Sequence, residues 1–378
     1  RRLGQTAHDF VQALGCPDAI VTRAHKREGA PTVPSRFLQR LRAFAGEAAW
    51  KSLVKGGQRF RSLAAAIDAG LGPADLPVLP RPRRPAPRPD PALFPRSLSV
   101  TEIETLVRDP YGIFARHVLG LDALEPVAVQ PGASDRGTIV HAVLGGFAER
   151  FPEGLPALDE AEEVLYALAA NAFAPISDAY PELYAEWWPR FVRLAEAFLA
   201  WEAERRPGLR RVAPEVGGRW ALAIPGGHVL TLRARADRIE TRRDGGHTII
   251  DFKTGQPPST REVFAGFSPQ LTLEAAMLQA GAFRGLEAAA ETPDLLYVRA
   301  GGGKTPLDPA PLKPPRGDGR SLPELVEAHV AGLRQLVGAF MAGEASYLSR
   351  PYPKYAKAYS DYDHLARVRE WSLVEGEE

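Results

Sequence analysis

The chain has 378 residues, 47 lysines and arginines against 46 acids, a net charge of +1, an apolar fraction of 45% and one cysteine, Cys16. That length implies two or three domains, and the apolar content is ample for buried cores. The near-neutral charge excludes a global basic field, so any nucleic-acid surface must be a local patch, and the lone cysteine excludes an internal disulfide or an all-cysteine metal cluster within the chain, which fits a reducing, cytoplasmic setting. No apolar run approaches the length of a membrane span, and no signal-peptide pattern opens the chain. The start at Arg1, without a methionine and directly in a helical pattern, reads as a piece of something longer.

Residues 1–76 read as helix, short strand, loop and helices, with Ala19-Ile20-Val21 as a buried strand followed by Thr22-Arg23-Ala24. Residues 77–96, PVLPRPRRPAPRPDPALFPR, form a proline-arginine linker whose composition favours extended chain. Its arginines either contact phosphates or belong to a solvated spacer. Residues 97–378 make up the remaining domain. Ser99 and Glu102 have the spacing of a capping box, and the helix that they open breaks at Asp109-Pro110. The next helix starts at Arg136-Gly137-Thr138-Ile139-Val140-His141. Ile139, Val140, Val143, Leu144 and Phe147 form its apolar face, and His141 sits beyond the edge of that face, among Gly137, Gly145 and Ala148. Residues 158–206 are mostly helical, and the stripe of Trp187, Trp188, Phe191, Leu194, Phe198 and Trp201 reads as core. After Pro207-Gly208 come Glu215 and a strand through Trp220-Ala221-Leu222.

The stretch from Thr231 to Leu278 organises the chain. Two strand-like runs flank Asp244-Gly245-Gly246, a strong hairpin signal. Asp237 lies seven residues before Asp244 and Asp251 seven after it, so the hairpin brings the two carboxylates opposite each other. Asp251 and Lys253 are two apart and share a strand face, while Ile249, Ile250 and Phe252 mark a core strand. Two acids and a lysine there are costly unless paired or bound to metal. Two carboxylates with a few further oxygens suit Mg²⁺ or Mn²⁺, and a lysine beside the metal can position the attacking water or stabilise phosphate charge. Ordinary surface ion pairs are the competing explanation.

A helix begins at Gln270, and Asp294–Arg299 reads as another strand. Gly301-Gly302-Gly303-Lys304-Thr305 is not a nucleotide-phosphate loop, because Val298 stands where that motif needs glycine and Pro306 follows where a helix should run. Residues 322–343 form an amphipathic helix. The tail, with Lys354, Lys357, Tyr359, Tyr362, His364, Arg367 and Arg369, is basic with interleaved aromatics and either lies along DNA or packs on the core.

Asp237-Arg238-Ile239, then Asp251-Phe252-Lys253-Thr254-Gly255, then Gln270-Leu271 resemble the motifs of the PD-(D/E)XK nucleases of the RecB type. Within them the chain is similar, over nearly its whole length, to the C-terminal part of the alphaproteobacterial AddB family of helicase–nuclease subunits. One departure is Glu274, where the family often has tyrosine. The resemblance implies an α/β fold, a restriction-endonuclease-like mixed sheet flanked by helices, with a helical insertion and an N-terminal helicase-like remnant over 1–76. It implies that Asp237, Asp251, His141 and the Phe252 carbonyl hold one or two Mg²⁺, that Lys253 positions the water, and that Gln270 orients Lys253 or contacts the nucleic-acid backbone. Glu215 resembles the acid that precedes the active hairpin and either orients the site or is a plain strand-end glutamate. Thr22-Arg23-Ala24 is similar to the arginine motif of superfamily 1 helicases, but no phosphate-binding loop precedes it, and a structural remnant is the favoured reading. Asp109 stands where related nucleases carry a cysteine of an iron–sulfur cluster, so no cluster is expected. The implied activity is Mg²⁺-dependent cutting of single-stranded DNA, as it leaves an AddA-type helicase subunit during double-strand break repair. The implied setting is the cytoplasm, on the nucleoid, with no membrane. The competing reading is a catalytically silent scaffold that binds DNA and the helicase subunit.

Overall fold

The computed structural model describes residues 2–27, 29–69, 82–124, 129–357 and 359–372. The chain divides into two compact units, Arg1–Arg81 and Pro82–Glu378. No helix among the described residues is long and apolar enough to cross a membrane.

The first unit holds α1 (Arg2–Leu14), the two-residue strands β1 (Lys26–Arg27) and β2 (Ala30–Pro31), and α2 (Arg36–Ala69), which bends at Gly46. Phe10 and Phe37 stack at 5.6 Å. The strand expected at Ala19-Ile20-Val21 is absent: these residues form no ladder, and Ile20 is 57% exposed. A three-residue apolar run becomes a buried strand only where a neighbouring strand takes its amides, and here the described residues offer none. Arg23 turns to its own loop, donating to the Thr32 carbonyl (3.4 Å) and lying 3.2 Å from His25 Nδ1.

The second unit runs β3 (Ser97–Ser99), α3 (Val100–Arg108), α4 (Pro110–Ile113), α5 (Ala133–Arg150), α6 (Leu158–Ala179), α7 (Pro181–Arg205), β4 (Leu209–Ile224), β5 (His228–Arg242), β6 (His247–Lys253), α8 (Thr260–Phe264), α9 (Gln270–Gln279), β7 (Asp294–Arg299), β8 (Asp308–Pro311), α10 (Leu322–Met341) and α11 (Val368–Trp371). The capping box forms, with Glu102 N donating to Ser99 Oγ (3.1 Å) and Ser99 N to Glu102 Oε2 (2.7 Å). Pro110 then ends α3 after Asp109, whose Oδ1 accepts from Arg350 N at 3.0 Å. Of the 77–96 stretch, residues 77–81 lie outside the described residues. Residues 82–96 belong to the second unit and are not a free spacer: proline lacks an amide but keeps its carbonyl, and Pro85 and Pro87 accept from Ser349 N (3.0 Å) and Tyr347 N (2.9 Å).

The sheet is mixed and sandwiched between two helical layers. β4 pairs antiparallel with β5 along its length, which occupies one edge of β5. On the other edge β3 runs parallel (Ser97↔Thr231 to Ser99↔Arg233) and β6 antiparallel (Thr241↔His247 to Arg238↔Ile250). β7 continues parallel to β6, and β8 closes the sheet. Alternation along β6 and β7 feeds two cores. Ile249, Leu295 and Tyr297 pack with α3, α9 and α10, while Ile250, Phe252, Leu296 and Val298 pack with α5, α6 and α7. The aromatic stripe of α7 enters this second core, as Trp187, Phe191, Leu194 and Phe198 do together.

The C-terminal tail also packs on the core. Tyr355 stacks on Phe267 at 3.9 Å, Tyr362 donates to the Leu121 carbonyl (2.6 Å), and Trp371 and Val368 bury against Tyr111. Of the two readings of the tail, packing holds for these residues.

One consequence of the topology sets up the site. β3 and β6 approach each other along the same edge of β5, and both stop short. Among the described residues no strand pairs with that edge over 234–237. The carboxyl ends of both strands point into this gap, the position at which open α/β sheets place their ligands.

Candidate metal centre

The turn fixes the geometry of the two acids. The β5–β6 register pairs Arg238 with Ile250, and one further step carries Asp237 opposite Asp251. The ladder ends there, and the Asp237 side chain fills the next rung: Phe252 N donates to Asp237 Oδ2 at 2.8 Å. In an extended strand the amide and carbonyl of one residue point to the same side. The Phe252 carbonyl therefore also faces the β5 side, into the gap.

β5 changes phase at this place. Leu230, Leu232, Ala234 and Ala236 face the first core, and then Ile239 takes over that face. Asp237 stands at the switch. Opposite it lies Glu215 of β4, whose φ of 50° is a left-handed value rare outside glycine. Such strain persists where surroundings enforce it, and here it turns the glutamate toward Asp237.

α5 supplies the remaining donor. Gly137, His141 and Gly145 follow one another at four-residue spacing, on one helix face. A Cβ on Gly145 would lie 3.3 Å from Glu215 Cγ, and one on Gly137 3.0 Å from Thr254 Oγ1. The two glycines thus let the helix settle onto β4 and the end of β6, lowering His141 until its Nδ1 lies 3.4 Å from Asp237 Oδ2. His141, Glu215 and Asp237 each offer one ligand atom, and these atoms lie within 4.8 Å of one another. One imidazole with carboxylate oxygens fits a hard divalent cation of the Mg²⁺ or Mn²⁺ kind.

Asp251 is held from the other side. It is 2% exposed and accepts from Lys253 Nζ at 2.9 Å and from Gln270 Nε2, at the start of α9, at 2.8 Å. Gln270 therefore orients Asp251 rather than Lys253. Its amide also donates to Glu274 Oε1 (3.2 Å), so the glutamate that replaces the expected tyrosine supports Gln270 from one turn below. Glu274 is fully buried, and its Oε2 has no partner among the described residues.

The electrostatics follow from this packing. Burial pushes the Asp251 carboxyl up to about 6, with the Lys253 ammonium pulling the other way. Burial raises Glu274 well above the usual carboxylate range, and Asp251 adds to it. Burial also lifts Glu215, helped by Asp237 and opposed by Arg235, whose Nε lies 2.7 Å from Glu215 Oε2. Burial disfavours the charged forms of Lys253 and His141, yet both lie above their ordinary values, because Asp251 holds the first and Asp237 the second. Acids that resist ionisation, gathered around too few cations, form a site that a divalent ion would relax.

All the residues singled out from the sequence therefore meet at the gap. Asp237 and His141 are joined there by Glu215, which belongs to the donor set rather than outside it. Asp251, the Phe252 carbonyl, Lys253 and Gln270 line the β6–α9 side. The resemblance marks Glu215 as an acid before the hairpin; what brings its oxygen within ligand reach of Asp237 is the left-handed φ, visible only in three dimensions.

Comparison with known proteins assigns the chain to a family. Residues 97–355 match the PD-(D/E)XK nuclease superfamily. The chain is 29% identical over 267 residues to the uncharacterized protein RC0550 of Rickettsia conorii, covering 70% of this chain and 30% of the relative. An uncharacterized protein of Rickettsia bellii is 33% identical over 190 residues, covering 50% of this chain and 22% of the relative. The chain thus spans less than a third of the length of the curated relatives it matches. Among solved structures, the crystal structure of SSO0001 aligns with a TM-score of 0.27 at 13% identity, covering 64% of this chain and 76% of that one. With a family match over more than half of its length, and with its acids, lysine and glutamine gathered at the carboxyl ends of β3 and β6, the chain belongs to the PD-(D/E)XK nuclease superfamily.

Proposed function

We propose that this chain is a Mg²⁺- or Mn²⁺-dependent deoxyribonuclease that hydrolyses single-stranded DNA. The observation that carries the reading is the register that sets Asp237 opposite the Asp251-x-Lys253 strand, with His141 and Glu215 closing on the same gap. His141, Glu215, Asp237, Asp251 and the Phe252 carbonyl are the groups that would hold the cation. When bound, a divalent cation polarises the scissile phosphate and acidifies a water. The chain's own residues do the rest. Lys253, kept as an ammonium by Asp251, faces phosphate charge and orients the attacking water by donating to it. Gln270 fixes the Asp251 carboxylate, and Glu274 fixes Gln270 by accepting from its amide. The close packing of α5 holds His141 against Asp237.

The preference for single strands, the AddA-type helicase partner and a role in double-strand break repair on the cytoplasmic nucleoid rest on the resemblance of the Asp237, Asp251–Gly255 and Gln270 motifs to RecB-type nucleases. The test is a cleavage time course on end-labelled single-stranded DNA in Mg²⁺, Mn²⁺ and Ca²⁺, with and without the helicase subunit. Cleavage in the first two and binding without cleavage in Ca²⁺ is expected, because Ca²⁺ takes more ligands in looser geometry and acidifies water less. Full-rate cleavage in Ca²⁺ or in excess chelator rejects the centre. DNA binding with no cleavage in any metal favours the silent scaffold.

A further inference from the structure

The centre does not stand alone in its surface. A cleft lined by Arg219, Arg233, Arg284 and Gln270 meets it at Arg235. A second cleft, lined by Arg136, Arg190, Arg193, Arg299 and Lys304 around the Gly301–Thr305 loop, meets it at Thr254. The two junctions lie at opposite ends of the His141 segment. Arg235 pairs with Glu215, which packs on Gly145, whereas Thr254 packs on Gly137. Eight helical steps separate these glycines, about 12 Å along the axis.

The chain as a whole is nearly neutral, at +1, so this concentration of arginine is local. The first cleft has no acid in its lining and the second only Asp308. Arg233 and Arg190 are partly spent on Glu102 (3.2 Å) and Glu186 (2.9 Å). Arg219, Arg284, Arg299 and Lys304 are exposed, and none has a carboxylate within ion-pair distance among the described residues. The glycine loop is fixed rather than loose. Gly302 has a φ of 64°, a Cβ there would lie 2.3 Å from the Arg190 carbonyl, and Arg193 Nη2 donates to the Gly302 carbonyl at 3.0 Å. A loop unfit for a nucleotide triphosphate is thus anchored on α7 and presents Lys304 beside the centre.

We propose that these two clefts seat the backbone phosphates of one nucleic-acid strand on either side of the bond that is cut, so that the strand lies across the centre and no free end is needed. The inference rests on the nuclease reading and adds the course of the substrate. Hydrolysis then forms one bond from phosphorus to the water oxygen and breaks one to a sugar oxygen, leaving a phosphomonoester and a hydroxyl on two new ends. Flanking arginines that grip phosphates contribute affinity without sequence preference.

The test uses the full chain, a covalently closed single-stranded DNA circle and its linear form. Two variants, Arg219→Gln with Arg284→Gln and Arg299→Gln with Lys304→Gln, each remove two exposed cations outside the metal-holding set. Binding in Ca²⁺ is followed by fluorescence anisotropy against salt concentration. Each variant should lower the slope of log affinity against log salt by about 1.4, at roughly 0.7 per single-strand phosphate contact, with an unchanged melting midpoint. The wild type should open the circle at a rate within a few-fold of its rate on the linear strand. A circle that resists while the linear strand is degraded, or a slope that responds to only one of the two variants or to neither, overturns the inference and leaves the nuclease reading intact. A wild type that neither binds nor cuts either DNA overturns both.

Discussion

Asp237 and Arg238 are neighbours on β5, yet the charges gathered around them are managed in opposite ways. Arg238 is 1% exposed and lies between Glu202 and Glu240, both fully buried. Arg206 takes the second oxygen of Glu202, and Arg205 reaches Glu240 Oε2 at 2.6 Å, so all four carboxylate oxygens accept from arginine. Burial opposes ionisation of Glu202, but Arg238 and Arg206 outweigh it and hold the acid below its usual value; burial likewise opposes the Arg238 charge, and Glu202 and Glu240 keep it above the ordinary one. Around Asp237 the acids outnumber the cations, and Asp251, Glu215 and Glu274 all lie above their usual values. Matched buried charge holds the sheet to α7, whereas unmatched buried charge marks the place that needs an ion from outside.

Five substitutions and a pH profile test that contrast. The largest effect is expected at Asp251. Asp251→Asn should lower the cleavage rate on the order of 10³-fold while leaving the fold intact by circular dichroism. The pH dependence follows with its sign. The folded Asp251 carboxyl, at about 6, lies above its ordinary 3.8, so its contribution to stability is present at low pH and is lost as pH rises through about 6. The ionised form is the one that can hold a cation, so activity runs the other way, falling about tenfold per pH unit below 6. A rate that is flat from pH 5 to 8 removes Asp251 from the mechanism.

Arg238→Met should act through stability instead. Removing one member of a buried ion network typically costs about 3–5 kcal/mol, because the remaining acids stay buried and uncompensated. Urea unfolding that shows less than about 1 kcal/mol would erase the distinction between the two regions. His329 offers an uncompensated buried group with no place in the metal centre. Its Nδ1 lies 2.6 Å from Thr272 Oγ1, its Nε2 has no partner, and burial, with Arg320 adding, pushes it down to about 4. For a histidine with a depressed value, stability is present above the unfolded value near 6.5 and is lost as pH falls toward 4. The loss amounts to about 3 kcal/mol. His329→Gln should flatten that acid limb in equilibrium unfolding measured from pH 7 to 4, without altering cleavage at pH 7.

The smallest effects belong to the support of Asp251. Gln270→Ala should reduce cleavage by about 10- to 100-fold, as loss of a residue that orients a ligand does elsewhere. Glu274→Gln preserves an acceptor for Gln270 and should stay within about threefold of wild type. A Glu274→Gln variant as damaged as Gln270→Ala would show that Glu274 works as an anion.

What could be read in the sequence was what local rules control. The turn at Asp244-Gly245-Gly246 sets the register, and the register alone places Asp237 against Asp251. Ser99 with Glu102, Pro110 and the six residues of β7 follow from capping, proline geometry and a continuous apolar run. The features that escaped depend on distant partners. Glu202 and Arg238 are 36 residues apart and look like ordinary charged residues until the sheet meets α7. Glu215 was legible as an acid before the hairpin, but its turn toward Asp237 comes from a backbone distortion inside a 16-residue strand. Gln270 reaches Asp251 rather than Lys253 because α9 packs under β6, a choice of helix placement that periodicity does not encode. The run at Ile20 failed in the opposite direction, since its local signal had no partner to complete it.

The parallel pairing of β3 with β5 also has a kinetic consequence. Ser97 meets Thr231, a separation of 231 − 97 = 134 residues, whereas β5 and β6 join across a tight turn between Arg242 and His247. Hairpins close in about 1–10 μs, and contacts this remote in sequence wait until the intervening loop entropy has been overcome. The two aspartates therefore face each other early in folding, while the wall of the gap formed by Ser99 and the first turn of α3 arrives late. A chain caught before that step carries its acids on an open strand edge, where another extended chain could pair. Lengthening the stretch between β3 and β4 adds little to this delay or to the cost of closure, since doubling a flexible loop costs only about 0.6 kcal/mol. Insertions are therefore tolerated in the connections between α5, α6 and α7, not in the helices themselves, which carry His141 and the Glu202 network.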